Sequence, residues 1–217
     1  MESMINRKGT GAKGKSKIFP LIALLFFALA FNGCLEEIDM DNLKADSFNG
    51  TISAKVENGA SYNSQISTVW ALFDSALNNG QLTGRMTAEG DYTNGGFTVD
   101  LPEIPAQFLM NIQTFFTSVL NVSGELEYSD PDARLSYVDF WGIAADNNYV
   151  DYFIYTNTGS KRTTCLFVFV DSDVTVKGGT NIGVALRKGW NRIYWSSERV
   201  TSSAPGGMKW YLRSDVG

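Results

Sequence analysis

The side chains that could carry out acid-base chemistry in this 217-residue chain are carboxylates, because the chain contains no histidine. The lack of imidazole excludes Ser-His-Asp and Cys-His nucleophile systems and the usual zinc ligands. Two carboxylate pairs stand close together in the sequence, Asp130 with Asp132 and Asp171 with Asp173. Asp-Pro and Asp-Ser dipeptides are typical of turns, which favours a structural role for both pairs. We therefore predict no catalytic residue, no metal site and no cofactor, and a protein that is not an enzyme.

A second candidate for chemistry is the sequence GTGAKGKS at residues 9–16, which fits the GxxxxGK[ST] pattern of a phosphate-binding P-loop. The apolar run at residues 166–170, followed by Asp171, could supply the aspartate that helps to hold magnesium. A P-loop must join a buried strand to a helix that faces the phosphates. Residues 1–8 offer no apolar strand, and residues 18–31 are apolar throughout. We therefore predict no nucleotide binding.

The N-terminal 33 residues have the parts of an export signal. A basic segment precedes the uncharged run at residues 18–31, which is shorter than the roughly 20 residues of a membrane-spanning helix. The run ends in FNGC at residues 31–34. A Gly-Cys pair at this position resembles the lipobox of bacterial lipoproteins, in which the cysteine is lipidated and becomes the N-terminus. The resemblance implies lipidation of Cys34; cleavage after Ala30 without a lipid, or a retained N-terminal anchor, are the alternatives.

The residues that follow Cys34 are acidic, with LEEIDMD at residues 35–41. Acids directly after a lipidated cysteine resemble the signal that sends Bacteroidetes lipoproteins to the outer face of the outer membrane; a plain solvated spacer is the alternative. Either way, we predict an exposed tether at residues 34–47. Beyond residue 33 the chain carries 18 − 5 = 13 Lys+Arg and 23 − 1 = 22 Asp+Glu, a net charge of 13 − 22 = −9. This charge disfavours binding to nucleic acids and to anionic lipid headgroups. We therefore expect membrane contact through the lipid on Cys34.

From residue 48 onward, hydrophobic and polar residues alternate in short runs separated by turn-forming Asn-Gly and Gly-Gly pairs, a pattern typical of antiparallel strands. In contrast, apolar residues at 105–121 recur every three or four positions, which predicts one amphipathic helix. We therefore predict that residues 48–217 form one all-β domain, an antiparallel two-sheet β-sandwich with one crossover helix. A closed β-barrel is the alternative.

Three stretches carry a further resemblance: FNGTISAKVENG at residues 48–59, VALRKGWNRIYW at 184–195 and PGGMKW at 205–210. They resemble surface lipoproteins of Bacteroidetes, and the first is also similar to the start of transthyretin-like modules. The resemblance implies a lipid-anchored body with a β-sandwich fold. No catalytic residue is carried over from it.

Aromatic residues are the best indication of a binding site. Neighbouring residues of a strand point to opposite faces, so one member of Tyr194-Trp195 and one of Trp210-Tyr211 should point away from the core. Exposed rings can stack on sugars or contact a protein partner. We predict ligand stacking by Trp141, Tyr194, Trp195 and Tyr211, with coverage of these rings by a second sheet or a helix as the alternative.

Two further residues have predicted roles in the domain. The sequence LRKGWN at residues 186–191 predicts a turn at Lys188-Gly189, after which Trp190 covers the core and Asn191 binds loose backbone groups. Ile182, Val184 and Leu186 should share the face of Trp190. Cys165 lies in an apolar run and should be a buried small hydrophobic residue.

The predicted function is that of a non-catalytic cell-surface lipoprotein that binds a glycan or a protein. A structural or assembly subunit of a surface complex is the first alternative, and an unpaired apolar edge strand would favour it. A carboxylate-based hydrolase is the second, and an Asp/Glu pair in a cleft would favour it. Ser75 lies in an Asp-Ser-Ala sequence that resembles the O-glycosylation pattern of Bacteroidetes, which makes Ser75 a candidate modification site.

Overall fold

The computed structural model describes residues 38–78, 81–158 and 161–216, so the predicted lipidation site Cys34 and the P-loop-like residues 9–16 lie outside the described residues. Strands dominate the described chain, with one short helix. The strands are β1 (Asp46–Phe48), β2 (Thr51–Lys55), β3 (Thr68–Asn78), β4 (Gln81–Thr93), β5 (Gly96–Asp100), β6 (Met110–Asn111), β7 (Glu127–Tyr128), β8 (Arg134–Ile143), β9 (Tyr149–Thr156), β10 (Thr164–Val170), β11 (Val174–Gly178), β12 (Ile182–Leu186), β13 (Gly189–Trp195), β14 (Val200–Thr201) and β15 (Lys209–Leu212).

The strands form one hydrogen-bonded network in the order β2-β5-β4-β3-β8-β9-β10-β13-β14-β12-β11-β7, with β1 beside β13, β15 beside β9 and β6 beside β8. Neighbours are antiparallel except β12 and β14. The prediction of an all-β fold with one helix is confirmed. The order is open, which differs from a closed barrel, and all the strands named above belong to this one network. A single bridge between Val56 and Trp210 brings the end of β2 beside β15.

The helix is shorter than the predicted span of 105–121. It comprises α1 (Ile112–Thr114), which continues as a π-helix at Phe115–Val119. Upstream, Met110 and Asn111 form strand β6 against Leu135 and Arg134 of β8, so these residues cannot be helical. The Asn111 side chain then caps the helix by accepting a hydrogen bond from the backbone N–H of Gln113 (2.8 Å). Pairing with the sheet therefore overrides the helical spacing in the first half of the segment.

Strands β8, β10 and β13 bury both of their faces. In β10, Phe167 and Phe169 point to one hydrophobic core, here core 1, which lies between these strands and β2–β5. Val168 and Val170 point to the other, core 2, which is covered by the helix and by β11 and β12. Burial on both faces explains why residues 166–170 read as a continuous apolar run rather than an alternating one.

The segment before the domain lies against it rather than forming an exposed tether over its whole predicted length. Ile38 is buried against Gly183, and a Cβ atom added to Gly183 would lie 2.4 Å from the Ile38 side chain. Strand β1 pairs with β13, and the Asp46 carboxylate accepts hydrogen bonds from the Arg192 guanidinium (3.1 Å) and the Tyr194 hydroxyl (2.5 Å). Residues 38–47, predicted to be solvated, therefore belong to the folded domain, because their apolar side chains pack against it and β1 pairs with β13.

The contacts of Asp46 predict a measurable stabilisation. Asp46→Ala should lower the free energy of unfolding by about 1–3 kcal/mol, because it leaves the half-buried Arg192 and the buried Tyr194 hydroxyl without this partner. Glu57→Ala is the matched control: Glu57 pairs with Lys209 at 3.1 Å on the surface, and its loss should not be measurable. Urea unfolding monitored by tryptophan fluorescence checks both variants. Equal losses in the two variants would contradict a stabilising role for the N-terminal segment.

Candidate functional site

The adjacent aromatic pairs alternate between the two faces of their strands, as the sequence predicts. Tyr194 is 2% exposed and points into core 1, whereas Trp195 is 38% exposed. Trp210 is buried and Tyr211 is half-buried. The prediction that Tyr194 stacks on a ligand is wrong, because its ring is buried and its hydroxyl donates a hydrogen bond to Asp46. Burial is the main cause, and this hydrogen bond the second, of a pKa of Tyr194 far above its ordinary value. Trp195 is left as the exposed ring of the predicted set.

Trp141 lies in a small hydrophobic cluster outside cores 1 and 2, here the outer cluster, which contains Leu72, Trp141 and Ile143 with Trp70, Leu82, Tyr149 and Tyr152 packed around them. The Trp141 ring lies 5.1 Å from both the Tyr149 and the Tyr152 ring centroids and is 7% exposed. Trp141 is therefore covered by side chains of the adjacent strand β9, rather than by the second sheet or helix of the alternative. Trp141 packs against the half-buried ring of Tyr152 and exposes no stacking surface of its own.

A groove of about 580 Å³ lies where three strands meet. Residues 140–143 of β8 pair with β9, and residues 135–138 of β8 pair with β10. Asp139 lies between these two stretches. Strand β9 itself turns to pair with β10 at Tyr155. We call this depression the junction groove; its lining includes Asp139, Tyr152, Ile154, Lys161, Arg162, Leu166, Trp195, Ser197, Glu198 and Arg213.

Charged groups surround the aromatic and apolar part of the junction groove. Lys161 and Glu198 form an ion pair at 2.9 Å, with both side chains more than one third exposed. Arg213 donates a hydrogen bond to the carbonyl of Val216. Arg162 and Asp139 complete the charged lining. A ring for stacking, with charged donors and acceptors around it, suits a polar ligand that also has an apolar face.

Three carboxylates of the two pairs, Asp130/Asp132 and Asp171/Asp173, bind backbone N–H groups, one within its own turn and two in other segments. Asp130 accepts the backbone N–H of Asp132 (3.1 Å), and Asp171 accepts that of Arg134 (2.8 Å). Asp173 accepts the N–H of Lys188 (2.8 Å). Among the described residues, no group of three or more Cys, Asp or Glu side chains could hold a metal ion.

The prediction for Cys165 is confirmed. Its side chain is 5% exposed and lies in core 1, and it forms no disulfide. Burial raises the pKa of its thiol well above the ordinary value, which makes the reactive thiolate scarce. Cys165 therefore acts as a packing residue.

A second depression, of about 630 Å³, lies on the outer face of β2 and β5. Its lining is mostly small or polar, and its aromatic residue, Phe97, is 4% exposed and belongs to core 1. Because the depression offers no exposed ring, the junction groove is the stronger candidate for a binding site.

The structure brings Tyr152 and Trp195 to one groove, together with charged residues that the sequence analysis did not select: Asp139, Lys161, Arg162, Glu198 and Arg213. These five residues come from four separate segments, since Lys161 and Arg162 are adjacent, so no local motif could identify them. Tyr211 pairs in register with Ile154, a lining residue, and so lies beside the groove. Ser75 lies on β3, and its side chain is outside the described part of the structure.

In residues 38–78, 81–158 and 161–216, no helix has the length and apolar character needed to cross a membrane. A comparison of the chain with protein-family models, curated proteins and solved structures finds no match.

Proposed function

We propose that this protein is a non-catalytic, lipid-anchored binding protein of the outer-membrane surface, and that its junction groove binds carbohydrate. The observation that carries the proposal is the 38% exposure of Trp195 at a groove lined by charged side chains. Isolated exposed hydrophobic residues are common on protein surfaces. A tryptophan that is exposed beside a groove with polar donors and acceptors has the composition of a binding site.

Carbohydrate fits this composition better than a wholly apolar ligand does. A sugar ring presents a face of C–H groups, which can pack on an aromatic ring, and a rim of hydroxyl groups, which need hydrogen-bond partners. Trp195 supplies an exposed aromatic surface, and Lys161 and Glu198 supply charged hydrogen-bonding groups. An apolar ligand would bring no partners for these charged side chains and would impose a desolvation cost on them.

Trp195→Ala tests the proposed binding site. We expect glycan binding to weaken about tenfold or more, because the substitution removes the stacking surface. Binding of the detergent-solubilised full chain to a glycan array, followed by titration of the strongest ligand, measures the effect. The matched control is Val119→Ala, since Val119 is 37% exposed but does not line the groove. Binding that withstands Trp195→Ala would contradict the proposal for this groove.

Membrane attachment is tested at Cys34. We expect mass spectrometry of the membrane fraction to detect an acylated N-terminal Cys34, and we expect Cys34→Ala to release or mislocalise the protein. The support is the Gly33-Cys34 pair at the end of the uncharged run. Cys165→Ala is the control, because Cys165 is buried in core 1 and should not affect attachment. A mature N-terminus at Phe31 without lipid would contradict the anchor.

The hydrolase alternative has one observation in its favour, since Asp139 and Glu198 both line the junction groove. Glu198 is ion-paired with Lys161, an arrangement that fixes the positions of both charged groups. Incubation of the protein with any glycan that it binds separates the two functions. We expect the glycan to be recovered intact, whereas shorter products that disappear in Asp139→Asn or Glu198→Gln would favour the hydrolase.

The assembly-subunit alternative was expected to need an unpaired apolar edge. Strand β4 pairs with β5 only through Tyr92 and Thr93, so within the described chain its outer edge over residues 81–91 has no partner strand. That edge reads QLTGRMTAEGD, which is largely polar and includes charged residues. Its composition therefore gives no preference to assembly over ligand binding.

A further inference from the structure

The charge of the junction groove differs in sign from the charge of the protein. Its lining contains three basic residues, Lys161, Arg162 and Arg213, and two acidic residues, Asp139 and Glu198, a balance of 3 − 2 = +1. The chain beyond residue 33 has a net charge of −9, so everything outside the groove amounts to −9 − 1 = −10. The lining of the groove therefore has an excess of one positive charge, on a body that is otherwise strongly acidic.

Within the groove, one basic and one acidic residue neutralise each other. Lys161 and Glu198 are 2.9 Å apart and form an ion pair. The other charged residues of the lining, Arg162, Arg213 and Asp139, have a summed charge of +1, and the Arg213 guanidinium also donates a hydrogen bond to the Val216 carbonyl. A guanidinium group keeps its charge at all physiological pH values and matches the planar geometry of a carboxylate or the oxygens of a sulfate.

The fold brings the two arginines to the groove from different elements. Arg162 lies two residues before β10, whose first residue, Thr164, pairs with Trp195. Arg213 directly follows β15, whose last residue, Leu212, pairs with Phe153 of β9. The basic side chains thus converge on the groove that holds the exposed ring, although they are far apart in the sequence.

We propose that the junction groove selects an anionic glycan, with the sugar ring on Trp195 and its carboxylate or sulfate group bound by Arg213 and Arg162. The inference rests on the proposed carbohydrate-binding function and narrows its ligand to acidic sugars. Its basis is charge complementarity inside the groove. The acidic surface outside the groove repels extended polyanions such as nucleic acids, which favours a short segment that fits the groove.

Paired probes that differ only in charge test the inference. The detergent-solubilised full chain is titrated with oligogalacturonate and its methyl ester for the carboxylate, and with sulfated and desulfated galactan oligosaccharides for the sulfate. We expect at least one acidic member to bind about tenfold or more tightly than its neutral partner. The preference should shrink at about 1 M salt, because ions screen exposed charges.

Two substitutions locate the effect. Arg213→Gln and Arg162→Gln should each weaken binding of the preferred acidic probe about tenfold and weaken binding of its neutral partner by a clearly smaller factor. Arg187→Gln is the control, because Arg187 is exposed in the turn between β12 and β13 and does not line the groove. Circular dichroism verifies that the variants are folded, and the presence of two independent arginines keeps the test valid if one variant fails to fold.

The outcomes separate this inference from the proposed function. If neutral glycans bind at least as tightly as their acidic partners, and Trp195→Ala abolishes this binding, the anionic preference is overturned and the carbohydrate site remains in place. Acidic binding that withstands both arginine substitutions would also overturn the inference. Absence of binding to every glycan of a broad array would overturn the proposed function and the inference with it.

Discussion

Trp190→Ala is expected to lower the free energy of unfolding by about 3–5 kcal/mol, the range of large aromatic deletions in cores. The indole is 5% exposed, and its ring centroid lies 5.5 Å from that of Phe169 and 6.3 Å from that of Phe48. Its N–H donates a hydrogen bond to the carbonyl of Pro102 (3.1 Å). The substitution removes these contacts, leaves a cavity in core 1 and deprives a carbonyl group of its partner.

The same strand supplies a matched control. Trp195→Ala removes the same side chain from an exposed position of β13, and should cost less than about 1 kcal/mol, within the usual range of surface substitutions. Urea unfolding followed by circular dichroism measures both variants without depending on the fluorescence of the residue replaced. A loss below about 1 kcal/mol in Trp190→Ala would contradict a structural role for Trp190.

Gly90→Ala is expected to destabilise the domain by about 3 kcal/mol, at the upper end of ordinary overpacking costs. A Cβ atom at this position of β4 would lie 2.0 Å from the backbone carbonyl oxygen of Thr98 and 3.0 Å from the Val99 side chain. The Thr98 carbonyl belongs to β5, which is paired with β2 along its length, so this backbone cannot move without disturbing a second strand pair.

Gly206→Ala is the matched control for this substitution. A Cβ atom at Gly206 would have no heavy atom within 4 Å, so we expect little or no loss of stability. Thermal unfolding of both variants, with urea unfolding to obtain free energies, checks the contrast. Similar losses at the two positions would contradict the close approach of β4 to β5 as the reason for glycine at position 90.

The environment of Trp190 illustrates how far local sequence goes. Burial of its side chain and the turn-binding role of Asn191 were both predicted and are confirmed: Asn191 accepts the N–H of Arg187 (2.9 Å) and donates to the carbonyl of Gly189 (2.9 Å). The predicted face was wrong. Residues Ile182, Val184 and Leu186 lie in core 2, whereas Trp190 lies in core 1. The turn at Gly189, with φ of +102°, breaks the period of two that the prediction extended across it.

The sequence by itself determined the local features of this protein: the β-rich class, the alternation of Tyr194 and Trp195 between faces, and the Asn-Gly turns, where Asn58 and Asn94 adopt positive φ. These features depend on strand periodicity and on backbone conformations that neighbouring residues specify. Residue spacing alone did not determine where helix α1 begins, because pairing of Met110 and Asn111 with β8 is a long-range interaction.

Only the tertiary structure decided which aromatic residues could contact a ligand and which charged residues accompany them. Tyr194 is buried in core 1 with its hydroxyl bound to the distant Asp46, and Trp141 is packed against Tyr149 and Tyr152 of the paired strand β9. Of the charged lining residues, Asp139 lies in β8, Lys161 and Arg162 precede β10, Glu198 lies between β13 and β14, and Arg213 follows β15. They meet where β8 changes its partner from β9 to β10. Strand pairing between distant segments is not encoded in any local pattern, because it depends on how all the buried faces pack at once.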